Sequence, residues 1–416
     1  MLVNRIIKRV LALILFVAFA FNGIAGENPK SIIKGIKQAF KEKNTDLFKT
    51  RLSKSFAIGI FSSPQFTDNM LAGIFNNHLV DQLELVKVKR DKNGSKLIVK
   101  CSYPNEQLFE STIYLDAEGK IERVGFFDKL YGVDLSQESK LVAELPFVLD
   151  RNRIVIKVKV NNSDRELRIM FDTGADGMGM KKAVADEIGL KVARQQQTNV
   201  VGGGYEINIS SGNELKFGST SIPNQNIGLF PSFMDDLDGL LGGNLLRKFI
   251  TEIDFDRSVI KLSSFGSYQY PENGAIIPLD YSLGIPSITA DLELNNGKKF
   301  ESKLHFDTGA GYPVILYGPS VKQLELLKDF KVLYKGINNS MGHRTPSVQG
   351  VFNHLKLGDK QINNFQGTIQ EFRDGDEKWS REGDGSLGIE IIKQFNCIIN
   401  VAAGQYYLTP NKNFKN

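Results

Sequence analysis

Metal and disulfide chemistry have little to work with in this chain. Its 416 residues hold two cysteines, Cys101 and Cys397, and four scattered histidines, His78, His305, His343 and His354. Two thiols are not a disulfide framework; they are left either to pair across domains or to lie buried and free. Neither His-Glu-x-x-His nor Cys-x-x-Cys occurs, so no metal site is expected. Charge of one sign is lacking too. The net charge of +5 includes Arg5, Lys8 and Arg9 near the N-terminus, and without those three cations it falls to 5 − 3 = +2. A nearly neutral surface makes no electrostatic case for nucleic acid. Beyond residue 25 no apolar run is long enough to cross a bilayer.

What the first residues do contain is a leader. Three cations precede the apolar run Val10–Phe21, and Gly23 and Ala25 supply small side chains at the −3 and −1 positions of a cleavage site. This is the layout of a secretory signal peptide over residues 1–25, or, if left uncleaved, of an N-terminal anchor. The protein is therefore expected to be exported, whether to a periplasm, a cell surface or the medium.

The next segment, residues 27–132, reads as an α+β domain. Ile32, Ile33, Ile36, Ala39 and Phe40 repeat at helical spacing. A second helical stretch is expected over Leu47 to Leu52, and a third after Thr67 and Asp68, which suit an N-cap. "LELVKVKR", "KLIVKCSY", "ESTIYL" and "KIERVGFF" then read as strands separated by Asn-Gly and Gly turns. In its order of elements this segment resembles the NTF2-like folds. The polar stretch 134–140, "DLSQESK", reads as a linker.

From about Glu144 onward the chain is strand-rich, and it repeats itself. "LRIMFDTGADGMGM" at 167–180 is echoed by "SKLHFDTGAGYPVIL" at 302–316, which places Asp-Thr-Gly at Asp172 and again at Asp307. Farther on, "DGLLGGNLLRKFITEIDFDRSVIKL" (238–262) aligns without a gap over "DGSLGIEIIKQFNCIINVAAGQYYL" (384–408). Two copies mean a tandem duplication, since a solenoid needs more units.

The repeated motif has a chemical logic. Apolar residues before each Asp bury the strand and hold its end rigid. The Gly lets the backbone approach a carboxylate closely, and the Thr hydroxyl can reach the opposite loop. Two such loops about a pseudo-two-fold axis would set two carboxylates within hydrogen-bond distance. Such a pair shares a proton, because like charges that close cannot both ionise.

These motifs, each followed by a Leu-Gly element and a short apolar stretch, resemble the retropepsin-like aspartic proteases over residues 144–410. The resemblance implies a mainly β chain: two tandem retropepsin-like β-barrel lobes of the acid protease fold, at 141–265 and 266–416, behind the smaller α+β domain. It makes Asp172 and Asp307 the catalytic pair, Thr173 and Thr308 a cross-lobe hydroxyl pair, and Gly174 and Gly309 the supporting glycines. It implies a peptide or protein substrate, no cofactor, and a pseudo-dimer within one chain that works as a monomer. A flap is also implied, and "TNVVGGGYEINIS" offers one through Gly202, Gly203, Gly204 and Tyr205. The corresponding "INNSMGHRTP" lacks the glycine run and carries His343, so an altered second flap is expected.

Other residues read more plainly. Asp238 and Asp384 each open a turn before a helix and are expected to cap it. Leu241 and Leu387 are expected in the core, and His305 is expected to be structural or solvent-facing. The function so reached is an aspartic endopeptidase. A non-catalytic peptide- or partner-binding protein on the same scaffold is the alternative, and a glycosidase has no motif in its favour. The N-terminal domain could recruit substrate, bind a surface or act as a removable pro-region.

Overall fold

A computed structural model describes residues 28–200, 203–232, 234–281, 284–340, 343–373 and 383–415. The leader at 1–25 lies outside the described residues, as does Gly202. The chain forms two compact units divided between Ser136 and Gln137. Among the described residues no helix is long and apolar enough to cross a membrane.

The first unit is α+β. Helix Pro29–Glu42 buries Ile32, Ile33, Ile36, Ala39 and Phe40, and the side chain of Asn28 caps its first turn. Helix Thr45–Lys49 follows. It stops short of the expected end because Leu52 starts strand Leu52–Ala57, which pairs with Ile121–Val124 far along the chain. The third helix, Pro64–Asn77, starts earlier than the Thr67–Asp68 reading: its cap position is Ser63, four residues before Thr67, and Pro64 lies inside the first turn. A proline there loses no hydrogen bond that the helix would have made.

Strands Gln82–Asp91, Gly94–Ser102 and Phe109–Leu115 complete a five-stranded sheet. "KIERVGFF" does not remain extended: its strand ends at Val124, and Gly125–Leu130 turns into a helix that buries Phe126 and Phe127. The core mixes isoleucine and leucine with a cluster of phenylalanines, in which Phe40 is stacked on Phe75 at 4.3 Å and Phe127 lies edge-on to Phe40. Cys101 is a free buried thiol within this core. Burial pushes it up to about 12, as befits an unreactive structural cysteine.

The second unit is built from three sheets. An eight-stranded sheet carries the first Asp-Thr-Gly and a seven-stranded sheet the second. Each curls back on itself, Leu215 pairing with Val160 in the first and Leu292 with Leu355 in the second. Each therefore closes towards a barrel. The third sheet is shared between the lobes. Its central strands, Ile250–Asp254 and Phe395–Asn400, are repeat equivalents offset by 384 − 238 = 146 residues. Glu252 pairs with Ile398, its own repeat equivalent, while Thr251 pairs with Ile399 and Ile253 with Cys397. A register that maps onto itself under the repeat puts the pseudo-two-fold axis through that pair. Cys397, the other free thiol, is buried there. The same axis governs the two Asp-Thr-Gly loops.

Candidate active site

Each Asp-Thr-Gly loop is gripped by the strand that the repeated Asp-Gly-x-Leu-Gly itself forms. Strand Gly239–Leu241 lies between two strands that are neighbours in sequence, parallel to Leu167–Phe171 and antiparallel to Met178–Lys181. In the second lobe Gly385–Gly388 lies in the same way between Lys299–Asp307 and Val314–Leu316. The chain leaving each Asp must therefore loop around the end of an inserted strand. Leu241 and Leu387 are fully buried in these strands, as expected. The glycines that follow them fit because no Cβ would. At Gly242 one would lie 2.0 Å from the Asp172 carbonyl oxygen, and at Gly388 2.0 Å from that of Tyr312. Neither glycine stands out in the sequence as a site residue; their common place in the repeat was the available signal.

Asp238 and Asp384 do not cap helices. The helical turns start only at Gly243 and Ile389. Instead, Asp238 accepts the Arg168 backbone N–H at 2.8 Å, and Asp384 accepts that of Lys303 at 2.8 Å. Arg168 and Lys303 each stand four residues before their catalytic candidate, so both aspartates brace the strands that deliver Asp172 and Asp307. Asp384 also accepts from the Ser320 hydroxyl at 2.7 Å. Asp384→Ala should cost about 1–3 kcal/mol by leaving a backbone donor unpaired, whereas Asp384→Asn, which keeps an acceptor, should cost less. Denaturant midpoints of the two variants check this; equal losses would refute it.

Across the axis the loops interlock. The Thr173 amide donates to the Thr308 hydroxyl at 3.0 Å, and the Thr308 amide to the Thr173 hydroxyl at 3.1 Å. Each hydroxyl donates onward to the carbonyl before the opposite Asp: Thr308 to Phe171 at 2.8 Å, and Thr173 to Phe306. Both threonines are completely buried.

Above this lattice the side chains of Asp172 and Asp307 hydrogen-bond to one another. The Gly174 and Gly309 amides donate to their own Asp at 2.9 Å. The two glycines also make room for the pair: a Cβ at Gly174 would lie 2.5 Å from the Asp307 carboxyl carbon, and one at Gly309 2.3 Å from that of Asp172. The structure thus brings Asp172, Thr173, Gly174, Asp307, Thr308 and Gly309 into one cluster.

Burial raises both carboxyl groups above their ordinary value. For Asp172 the hydrogen bond from Asp307 and the loop amides pull the other way. Asp307 is raised well above, by burial and then by the charge of Asp172. Two carboxylates in this position retain one proton between them over a wide range of pH. Their geometry suits one water, with one group to take its proton and the other to give one.

The pair forms the floor of a cleft of about 610 Å³. Its roof comes from a hairpin, Arg194–Val200 with Gly203–Phe217, in which Val200 faces Gly203 across the tip. Gly203, Gly204 and Tyr205 lie on its returning strand. Gln196, Thr198, Ile207 and Ile209 of the same hairpin line the cleft. A second hairpin of the same form, Val332–Ser340 with His343–Leu357, exists despite the missing glycine run, with Ser340 facing His343 across the tip. Length and pairing of the strands carried the signal that glycine content hid. At the cleft edge Asp176 is paired with Arg247; burial raises the Asp176 carboxyl and Arg247 lowers it.

His305 is structural but not solvent-facing. It is buried, with Nδ1 hydrogen-bonded to the Ser287 hydroxyl at 2.9 Å. Among the described residues no group of three His, Cys, Asp or Glu side chains converges.

Residues 156–245 match the model of a family described as aspartyl protease. The match runs from the strands before Asp172 to the helical turn beyond Gly242 and ends before the second repeat. No curated protein matches the chain.

Proposed function

We propose that the chain is an exported aspartic endopeptidase of the retropepsin-like kind, working as a single-chain pseudo-dimer; the match of residues 156–245 to an aspartyl protease family supports this. The observation that carries the reading is the hydrogen bond between Asp172 and Asp307 on the floor of the cleft. The substrate is an extended peptide lying between the pair and the hairpins. The ionised carboxylate takes a proton from a water whose oxygen attacks the scissile carbonyl, and the protonated carboxyl gives its proton to the carbonyl oxygen. Collapse of the resulting diol breaks the C–N bond, with a proton passed to the leaving amine. No covalent intermediate forms. Residues 1–25 fit a leader that directs export before the protein acts.

The test is cleavage of a peptide mixture by the protein lacking residues 1–25, with and without a statine-type mimic of the diol. Inhibited cleavage is expected; tight peptide binding without cleavage between pH 3 and 8 would favour a binding protein on this scaffold.

The same chemistry sets a pH dependence. Activity needs one proton on the pair, so it falls at low pH when both groups are protonated and at high pH when both are ionised. Both carboxyls are raised from 3.8, so the active window moves upward from the ordinary carboxylate range. A bell-shaped kcat/KM profile whose alkaline limb lies well above pH 3.8 is the expected result. An alkaline limb in the ordinary carboxylate range would contradict the burial argument.

A further inference from the structure

The cleft is not symmetric although the frame around it is. Among the described residues that line it, the second lobe contributes only Ile285, Asp307 and Ser340; the remainder belong to the first lobe. Strand registers locate the cause. In the first lobe Gly179 sits between Gly228 on one side and Leu240 on the other. In the second lobe the corresponding ladder position is Ile315, between Thr368 and Ser386. Leu240 and Ser386 are also repeat equivalents, since 386 − 240 = 146.

Two glycines in the first lobe therefore stand where the second lobe has an isoleucine and a threonine. A Cβ at Gly179 would meet the Phe230 ring at 2.7 Å, and one at Gly228 would meet the end of Ile207 at 2.9 Å. The Phe230 ring and the end of Ile207 lie close over the two glycines, and Gly179, Gly228, Phe230, Ile207 and Leu240 together line the cleft, which is open on this side. At the opposite position Ile315 and Thr368 are buried, and the hydroxyl of the buried Ser386 is bonded to that of Tyr317. That half is packed shut.

We propose that the enzyme's specificity is lopsided: it takes a large apolar side chain on the first-lobe side of the scissile bond and a small one on the second-lobe side. The idea rests on the peptidase reading of the same cleft. An extended peptide presents its two flanking side chains to opposite lobes about the axis through the dyad. Two equally open sides would accept large residues at both positions, whereas this chain offers one.

The experiment uses capped peptides in which each of the two residues flanking the cleaved bond is Ala or Phe in every combination. With the wild-type protein, Phe should raise kcat/KM at one flanking position by about 10–100-fold over Ala, the range for filling an apolar pocket, and lower it at the other. Gly228→Ala, whose new methyl displaces only the end of Ile207, should cut the Phe-over-Ala ratio at the favoured position about 10-fold. Equal preference for Phe on both sides, or an unchanged ratio in Gly228→Ala, would overturn the proposal while leaving the peptidase intact. If no peptide were cleaved at all, the peptidase reading would fail and this one with it.

Discussion

Asp307→Asn should lower peptide hydrolysis about a thousand-fold or more while leaving the fold intact or strengthened. The size follows from what the group does. General acid–base transfer is worth about 10²–10⁴-fold, and members of a pair that acts as a unit are lost together rather than in shares. Asparagine has the shape of aspartate, so the Gly309 amide, at 2.9 Å from Asp307 Oδ1, keeps an acceptor. The side-chain amide can still donate to Asp172. What disappears is a proton that can move. Asp172→Asn should behave alike, and the double variant should be little worse than either alone. A residual rate within ten-fold of the wild type for either variant would show that the pair is not the seat of hydrolysis.

The stability of Asp307→Asn carries a sign that a merely disruptive mutation would not. The native pKa of Asp307 is raised well above its unfolded value. Protonation therefore favours the native state: the stabilising term is complete below about pH 3.8 and is lost as pH rises towards the native pKa. The asparagine variant has no such loss. Its stability relative to wild type should climb from pH 4 upward, as thermal melts over a pH series would reveal. A difference that stayed flat with pH would mean that the carboxyl is not held in the environment described above.

Much of this arrangement could be read from one sequence because the duplication wrote it twice. Asp172 and Asp307 were legible since the same triplet ends an apolar strand in both copies, and the gapless alignment of 238–262 with 384–408 confirmed the register. Leu241 and Leu387 followed from that alignment. The bracing by Asp238 and Asp384 was hidden because their partners, Arg168 and Lys303, are backbone donors some 70–81 residues away. An acidic residue before a turn looks locally like a cap. The second hairpin was hidden for a different reason. A run of glycines is a visible mark in a sequence, but Val332–Ser340 and His343–Leu357 are held by a long stretch of pairing that needs no such run. In the first unit the error at Leu52 was of the same kind, since a strand that pairs with Ile121 overrode a locally helical pattern.

Duplication also explains why the two halves could diverge in the cleft yet not beneath it. The shared sheet constrains both copies through one self-matching register, Glu252 with Ile398, and the inserted strands of both lobes require glycine at 242 and 388 for lack of space. Positions 179 and 315 carry no such reciprocal constraint: each meets neighbours of its own lobe. Glycine and isoleucine could be kept there independently, which leaves recognition free to become one-sided while the chemistry stays symmetric.

The threonine lattice under the dyad provides the sharpest test of that symmetric part. Replacing Thr308 by Val keeps the shape and removes the hydroxyl. Two buried backbone groups then lose their partners at once: the Thr173 N–H, which donates to Thr308 at 3.0 Å, and the Phe171 carbonyl, which accepts from it at 2.8 Å. With no water able to reach a fully buried side chain, each orphaned group costs about 1–3 kcal/mol, or about 2–6 kcal/mol together. That is a large share of the roughly 5–15 kcal/mol that holds a domain folded. Thr308→Ser keeps the hydroxyl and loses only a methyl group, so it should fall well short of that loss. Denaturant unfolding of the two variants separates hydrogen bonding from packing. The valine variant should unfold at clearly lower denaturant and hydrolyse peptide poorly, because the loops bearing Asp172 and Asp307 are no longer tied across the axis. If valine proved as stable and as active as serine, the hydroxyls would be filling space, and something other than this lattice would be holding the two aspartates together.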